Sequence, residues 1–285
     1  MAGRTITALG TSVIALTLAT AANADVLVSY RDFSGACSGG SLICVGSASA
    51  AGAVLSLTPA EYSQSGAAYS TTPITLGAND IFSTQFKFQF TDAGGVDPAD
   101  GITFVLSAGT SGLGASGGGM GYQGVPNSVA IEFDTYQNGG ADSSSNHVAV
   151  DTNGSLTDSK LTNPYGVSSC DFSSGHTQAG CMSNGDVWIA SISYDGTNLN
   201  AAVQDGANPA QTVISNYAID MTGALGTNQA YVGFTSGTGG GFENHDILSW
   251  QFANTTQLAN VPEPATVASL AIAMAGLGLL RPRRR

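Results

Sequence analysis

Residues 129–151 read VAIEFDTYQNGGADSSSNHVAVD, and this stretch joins two strand-like runs through a polar loop. The first run alternates apolar and polar residues, so Glu132 and Asp134 project from the same face of a predicted strand. The second run begins at His147 and is again apolar. We therefore expect two neighbouring β-strands, with polar side chains of the intervening loop folded back over the two carboxylates.

Five side chains with oxygen or nitrogen donors fall within this stretch: Glu132, Asp134, Asn138, Asp142 and His147. Only 10% of the whole chain is charged, so the concentration is unusual. Carboxylate, amide and backbone carbonyl oxygens suit calcium, whereas several carboxylates with one imidazole suit manganese or zinc. The pattern predicts a metal site. The simpler alternative is that Glu132 and Asp134 face solvent on a half-exposed strand.

The same residues resemble the metal motif of the legume-type (L-type) lectins, which reads approximately VAVEFDTYxN, then a short loop with Asp, then HIGID. Three further segments resemble that family in the family's order: ADGITFVLSA (99–108), SGGGMGYQG (116–124) and YVGFTSGTGGGFENHDILSW (231–250). The matches cover most of residues 25–255. The resemblance implies an all-β fold, an antiparallel β-sandwich of the legume-lectin, concanavalin A-like jelly-roll type.

The resemblance implies two cations, carried over residue by residue. A transition metal such as Mn²⁺ is bound by Glu132, Asp134, Asp142 and His147. Ca²⁺ is bound by Asp134, Asn138, Asp142 and the backbone carbonyl of Tyr136.

The resemblance also implies a carbohydrate site beside the calcium, with its residues on four segments: Asp100, Gly118 or Gly119, Tyr136 with Asn138, and Gly240 with Gly241. In the family the peptide between Ala99 and Asp100 is cis, and we expect the same here. Rigidly held donors and acceptors bind sugar hydroxyls, while a flat ring packs on the apolar face of a pyranose. Gly240 and Gly241 have no side chain with which to select a sugar, so the sugar is not identified.

The residue pattern independently favours β structure. The chain has 38 glycines and short alternating runs at Phe82–Phe90, Val187–Tyr194 and Leu199–Val203, which predict antiparallel strands. Their apolar faces need a second sheet, which gives a sandwich. The predicted core is mainly aromatic and β-branched: Phe86, Phe88, Phe90, Phe104, Ile131, Phe133, Val148, Val150, Ile192, Val232, Phe234 and Trp250.

The two ends of the chain carry targeting patterns. Residues 1–24 have one Arg, an apolar stretch and Ala22-Asn23-Ala24, which is typical of a signal peptide and predicts export. Residues 256–285 contain Pro-Glu-Pro, an apolar segment at 265–280 and a terminal arginine cluster. This resembles a PEP-CTERM sorting signal, which implies an exosortase-type protease as partner, transient membrane association and a Gram-negative bacterium. An ordinary C-terminal anchor is the alternative. We expect one lectin domain at 25–255.

Charge and cysteines fit an exported binding protein. Residues 25–262 contain three basic and 19 acidic side chains, a net charge of 3 − 19 = −16, which disfavours nucleic acid as a partner. A neutral glycan or a cation is a more suitable partner for a chain with this net charge. The cysteines form two close sequence pairs, Cys37 with Cys44 and Cys170 with Cys181, and we expect two local disulfides.

These observations predict a secreted carbohydrate-binding protein, dependent on calcium and in addition on manganese, for a glycan or extracellular polysaccharide at the cell surface or in the matrix. Homo-oligomerisation would raise its avidity. One alternative is a structural matrix protein that keeps the fold without binding sugar. Another is a glycoside hydrolase on the same sandwich. Tyr136 and Gln137 stand where the catalytic acid would be, so we expect no enzyme.

Overall fold

The computed structural model describes residues 26–76, 81–110, 112–139, 142–173, 175–254 and 258. The first seven strands are β1 (Val26–Tyr30), β2 (Leu42–Gly46), β3 (Ser49–Ala51), β4 (Val54–Thr58), β5 (Ser65–Ser70), β6 (Ile74–Thr75) and β7 (Phe82–Gly95). Nine more complete the fold: β8 (Gly101–Ser107), β9 (Ser128–Asp134), β10 (His147–Thr152), β11 (Ser155–Thr162), β12 (Trp188–Tyr194), β13 (Asn198–Asp205), β14 (Gln211–Ala218), β15 (Gln229–Gly237) and β16 (Gly241–Ala253). One short helix, α1 (Met221–Leu225), and two 3₁₀ turns, Gly117–Gly119 and Pro164–Gly166, connect them.

The strands form two antiparallel sheets. The back sheet has the order β14-β13-β12-β7-β16-β4-β3, with β1 also paired to β16. The front sheet has the order β11-β10-β9-β8-β15-β5-β2, with β6 also paired to β15. The predicted β-sandwich is confirmed, and the three predicted alternating runs lie within β7, β12 and β13 apart from Val187.

Aromatic side chains fill the space between the sheets. Phe86 of the back sheet contacts three rings of the front sheet, with centroid distances of 6.0 Å to Phe104, 5.5 Å to Phe133 and 4.9 Å to Phe234. All twelve predicted core residues are buried. Alternation along each strand places these side chains inward, and each buried aromatic ring contributes about 2–3 kcal/mol of transfer free energy.

The outer face of the front sheet is also covered, which a strand pattern does not show. Ala130 and Val105 pack there against Tyr122 and Val125 of the glycine-rich loop. Glu132 and Asp134 point to this same outer face, yet they are only 1% and 4% exposed. The alternative of a half-exposed strand is therefore wrong, because loops cover the face that carries the carboxylates.

Both predicted disulfides are present, with Cα–Cα distances of 5.5 Å for Cys37–Cys44 and 5.9 Å for Cys170–Cys181. The Cys170–Cys181 disulfide closes a loop that is hydrogen-bonded to Asn146 of the metal motif. The buried Asn146 side chain donates to the carbonyl of Gly180 and accepts from the N–H of Met182, at 2.9 and 3.0 Å. This loop therefore supports the start of β10.

The targeting predictions fall outside the described part of the chain. Residues 1–25, which include the expected signal peptide, are not described, and neither is the apolar segment 265–280. Across the ranges given above, no helix has the length and apolar character needed to cross a membrane. The expected membrane association of residues 265–280 lies outside the described residues and stays a prediction.

Candidate functional site

Strand pairing brings the two ends of the metal motif together. Asp134, at the end of β9, lies directly opposite His147 on β10 and Gly101 on β8. Glu132 lies two residues earlier on the same face, opposite Thr103. The antiparallel register places an imidazole between the carboxylates, because side chains directly opposite each other on neighbouring strands are in contact range.

The acidic side chains converge on the His147 ring. The Nε2 atom of His147 lies 3.1 Å from Oε1 of Glu132, and its Nδ1 atom lies 3.8 Å from Oδ1 of Asp142. Glu132, Asp134 and His147 each offer a donor atom within 4.8 Å of the other two. The structure thus brings the four residues expected for the transition metal to the His147 ring, in two overlapping groups of donor atoms: Glu132 with Asp134, and Asp142 with Asp158.

Short hydrogen bonds shape the loop between the strands. One oxygen of Asp134 accepts from the N–H of Tyr136 at 2.7 Å. Asp142 accepts from the N–H of Asn138 at 2.7 Å and from that of Ser144 at 3.0 Å. These carboxylate-to-backbone bonds mimic turns, which is why Asp residues fold this loop locally.

Asp100 and Asn138 meet at the rim of the site. The Asn138 side-chain amide donates to Oδ1 of Asp100 at 3.2 Å, and the Asp100 carbonyl accepts from the N–H of Thr135 at 3.0 Å. The peptide between Ala99 and Asp100 is cis, as expected. Asp100 is 2% exposed and its Oδ2 atom has no hydrogen-bond partner. This oxygen remains available as an acceptor.

The glycine-rich loop closes over these two residues. A Cβ atom added at Gly118 would lie 2.4 Å from the Asn138 amide, so only glycine permits this approach. Gly118, Gly119 and Asn138 form the rim of a pocket of about 400 Å³, and its wall includes Glu132 and Asp134. The pocket joins the expected sugar contacts to the expected metal ligands.

The other expected sugar contacts, Tyr136, Gly240 and Gly241, do not line this pocket. A Cβ atom added at Gly239 would lie 3.3 Å from Oδ2 of Asp100, whereas at Gly240 it would meet no atom within 4 Å. Gly241 packs against the carbonyl of Asp97. Tyr136 is half-buried and lines a separate cleft of about 670 Å³. The second glycine run therefore approaches Asp100, but Tyr136 faces a neighbouring cleft.

Burial controls the protonation of the acidic groups. It raises the pKa of Asp100 to about 6, although the Asn138 hydrogen bond and the His245 ring oppose the shift. Burial also holds the pKa of Glu132 and of Asp134 well above their usual range, with repulsion from Asp151 and Asp142 respectively adding to it. Carboxyls in this condition favour a proton or a cation, because an unpaired buried charge is costly.

Two carboxylates of the site were missed in the sequence. Asp151 shares the outer face of β10 with His147, and it is 1% exposed. Alternation from His147 to Asp151 would have revealed it. Asp158 lies on β11, with its Oδ2 atom 4.0 Å from Nε2 of His147. Nothing in the spacing indicates Asp158, because an irregular pairing of β11 with β10 places its side chain beside His147.

A second buried polar cluster, also missed, lies beneath Asp100. Oε1 of Glu243 accepts from the hydroxyls of Thr135 at 2.8 Å and Ser183 at 3.0 Å. The same oxygen lies 3.4 Å from Nε2 of His245, whose Nδ1 atom is 2.7 Å from the Thr58 hydroxyl. This cluster ties β16 to Thr135, the residue that follows Asp134.

Sequence comparison assigns the family. A sequence model of the legume lectin domain matches residues 26–267. The chain belongs to the legume lectin family. Members of this family are carbohydrate-binding proteins rather than enzymes, and they generally bind Ca²⁺ and Mn²⁺. The expectation of a lectin domain that is not an enzyme is confirmed by this membership.

Curated relatives of this legume lectin domain are plant proteins. The lectin alpha chain of Lablab purpureus is 32% identical over 205 residues, which are 66% of this chain and 66% of that protein. The L-type lectin-domain containing receptor kinase VIII.1 of Arabidopsis thaliana is 29% identical over 73% of this chain, but over only 27% of its own length. The chain therefore spans just under two thirds of the first relative and about a quarter of the kinase.

Solved legume lectins share the fold. Lectin I from Ulex europaeus, in complex with the methyl glycoside of α-L-fucose, has a TM-score of 0.64 and 25% identity, covering 81% of this chain and 99% of its own. Lectin I-B4 from Griffonia simplicifolia in its metal-free form has a TM-score of 0.63 and 24% identity, covering 79% and 98%. At that identity the second likeness concerns the fold alone.

Proposed function

We propose that this legume lectin domain binds a glycan in a calcium- and manganese-dependent manner. One observation carries the proposal: Asn138 belongs to both halves of the site. Its backbone N–H is held by Asp142, and its side-chain amide donates to Asp100. A residue that links the carboxylate cluster to the acceptor Asp100 couples cation binding to the shape of the sugar site.

The residues around the rim offer the chemistry that a sugar needs. Asp100 supplies an acceptor, the Asn138 amide supplies a donor and an acceptor, and the N–H of Gly118 is a further donor. The N–H of Gly119 donates to the Ser116 carbonyl at 3.3 Å, so we favour Gly118 over Gly119. Tyr136, and the open backbone at Gly240 and Gly241, extend the surface on the other side. The polar groups are fixed by backbone hydrogen bonds, which reduces the entropy lost on binding.

The donor set fits both cations of the family. We assign Glu132, Asp134, Asp142 and His147 to Mn²⁺, and Asp134, Asn138, Asp142 and the Tyr136 carbonyl to Ca²⁺. Glu132, Asp134 and His147 offer donor atoms within 4.8 Å of one another, and the buried Oδ2 atom of the neighbouring Asp151 has no hydrogen-bond partner, which is the condition expected beside a cation. A bound cation supplies positive charge that fixes the Asn138 loop.

We further infer the layout of the chain from its sequence. Residues 1–24 form a signal peptide, residues 25–255 the lectin domain, and residues 256–285 a linker with a PEP-CTERM signal that an exosortase-type protease processes. The net charge of −16 in residues 25–262 favours a neutral glycan or extracellular polysaccharide over an anionic polymer. Homo-oligomerisation at a bacterial surface would add avidity.

The deciding experiment is calcium titration into chelator-treated protein, followed by a glycan array with and without calcium. Calcium binding with a calcium-dependent glycan signal supports the proposal and names the sugar class. Calcium binding with a silent array would instead favour a structural matrix protein on the lectin fold. Failure to bind any cation would refute the assignment of residues 132 to 147.

A further inference from the structure

Asp158 stands beside the expected metal ligands without belonging to the family motif. Its Oδ2 atom is 4.0 Å from Nε2 of His147. Asp142, His147 and Asp158 offer donor atoms within 4.8 Å of one another, and so do Glu132, Asp151 and Asp158. Asp158 also lines the 400 Å³ pocket. It therefore belongs geometrically to the cation site.

The strand that carries Asp158 is irregular at this point. The register between β10 and β11 shifts on both sides of Val150. Asp158 has a φ of +49°, in the left-handed region, which costs a residue with a side chain about 1 kcal/mol. One oxygen of Asp151 accepts from the N–H of Thr157 at 2.6 Å and from that of Asp158 at 3.2 Å. Asp151 therefore holds the irregular backbone that turns Asp158 inward.

Two carboxylate oxygens at this point accept no hydrogen bond from an N–H or hydroxyl group of the described residues. Oδ2 of Asp151 and Oδ2 of Asp158 are buried and form no hydrogen bond, and Asp151 as a whole is 1% exposed. All four ion pairs found among the described residues involve a histidine, so no Lys or Arg there neutralises the cluster. Several buried carboxyls around one imidazole favour a proton or an external cation, because an unpaired buried charge is costly.

We propose that Asp158 is a direct protein ligand of the cation bound at His147, and that Asp151 positions it. This inference rests on the proposed metal dependence and extends it. The ligand set becomes Glu132, Asp134, Asp142, His147 and Asp158. Four carboxylates and one imidazole match the oxygen-rich, six-coordinate preference of Mn²⁺ better than the tetrahedral nitrogen and sulfur preference of Zn²⁺.

The test compares wild type, Asp158→Asn and Asp151→Asn with Asp32→Asn, an isosteric loss of the same charge on an exposed loop. Asp32 is exposed, and its hydrogen bonds are local ones to Ser34. Isothermal titration of each full-length protein after chelator treatment measures Mn²⁺, Zn²⁺ and Ca²⁺ affinity. Metal stoichiometry by mass spectrometry and thermal unfolding in EDTA complete the readouts.

We expect Asp158→Asn to lower the affinity for Mn²⁺ about 10- to 100-fold and to reduce the ratio of Mn²⁺ to Zn²⁺ affinity. The affinity for Ca²⁺ should fall less than about threefold. In EDTA the variant should unfold no earlier than wild type, because it has lost a repelling charge. Asp32→Asn should match wild type.

Unchanged Mn²⁺ affinity in Asp158→Asn would overturn the ligand assignment while leaving the lectin proposal intact. Earlier unfolding of Asp158→Asn in EDTA, with equal loss for all cations, would also overturn it, since that result describes a structural residue. If wild type binds no cation, both this inference and the proposed metal dependence fail, and the wild-type titration alone reveals that case.

Discussion

At the scale of single residues, Asn138 and Asp100 make different contacts and should have different roles in the site. Asn138 is hydrogen-bonded to Asp142 of the carboxylate cluster and to Asp100, whereas the hydrogen bonds of Asp100 are to Asn138 and the backbone of Thr135. Truncation of the Asn138 side chain should therefore affect both cation and glycan binding. Truncation of the Asp100 side chain should affect glycan binding alone.

Asn138→Ala should therefore abolish both calcium and glycan binding, because it removes the amide oxygen that we assign to calcium and the donor to Asp100. Asp100→Ala should abolish glycan binding and leave cation binding within about threefold of wild type. Calorimetry and a glycan array on both variants check the division. Full glycan affinity in Asn138→Ala, or loss of metal in Asp100→Ala, would show that the roles are wrongly divided.

Gly118→Ala should disrupt the same rim by steric overlap. The added Cβ atom would lie 2.4 Å from the Asn138 amide, so the side chain or the loop must shift. We expect glycan affinity to fall at least about tenfold, since a displacement of this size breaks fixed hydrogen-bond geometry. Gly109→Ala is the matched control, because a Cβ atom there meets nothing within 4 Å. Equal affinity in the two variants would contradict the close approach.

At the scale of elements, the cluster around Glu243 connects strands that the site needs together. Thr135 follows β9, Ser183 precedes β12, and His245 shares β16 with Glu243. Glu243 and His245 are both 0% exposed. The carboxylate is thus a shared acceptor that fixes the end of β9 relative to the back sheet.

Glu243→Ala should lower the free energy of unfolding by about 2–3 kcal/mol, because it leaves two buried hydroxyl donors without their acceptor. For a domain of this size we expect a fall in Tm of roughly 5–10 °C. Thermal unfolding checks this against Glu61→Ala, an exposed glutamate whose loss should cost under about 0.5 kcal/mol. Similar Tm values in the two variants would mean that the cluster does not stabilise the fold.

At the scale of the whole molecule, the sandwich carries a cluster of buried carboxyl groups on the outer face of its front sheet. The pKa values of Glu132, Asp134 and Asp151 are raised, chiefly by burial. A carboxyl whose pKa is higher in the folded protein binds more protons when folded. Its stability contribution is full below the unfolded pKa, near about 4, and is lost as pH rises towards the folded value.

Chelated protein should therefore lose stability as pH rises from about 4 towards neutrality. Cation affinity should change in the opposite direction, because ligand carboxyls must be deprotonated. Protein loaded with both calcium and manganese should have a higher Tm than EDTA-treated protein. We expect this difference in Tm to increase as the pH rises over this window. Paired thermal scans across pH measure it. A difference that stays constant would show that these carboxyls do not exchange protons for cations.

The sequence by itself determined the sandwich, its core and most of the site. Alternation along Phe82–Phe90 placed the rings inward, because strand period alone decides which face a side chain occupies. The order of ligands from Glu132 to His147 sufficed for the metal prediction, because they are close in sequence and lie on two paired strands. The local disulfides followed for the same reason.

Only the tertiary structure decided that Glu132 and Asp134 are buried and that Asp158 and Glu243 join the site. Burial of an outward face depends on loops that cross it, and Gly118 approaches Asn138 from 20 residues away in sequence. Asp158 turns inward through a register shift between β10 and β11, and Glu243 reaches Thr135 across 108 residues. Such contacts arise from register and packing between strands, which local sequence period does not encode.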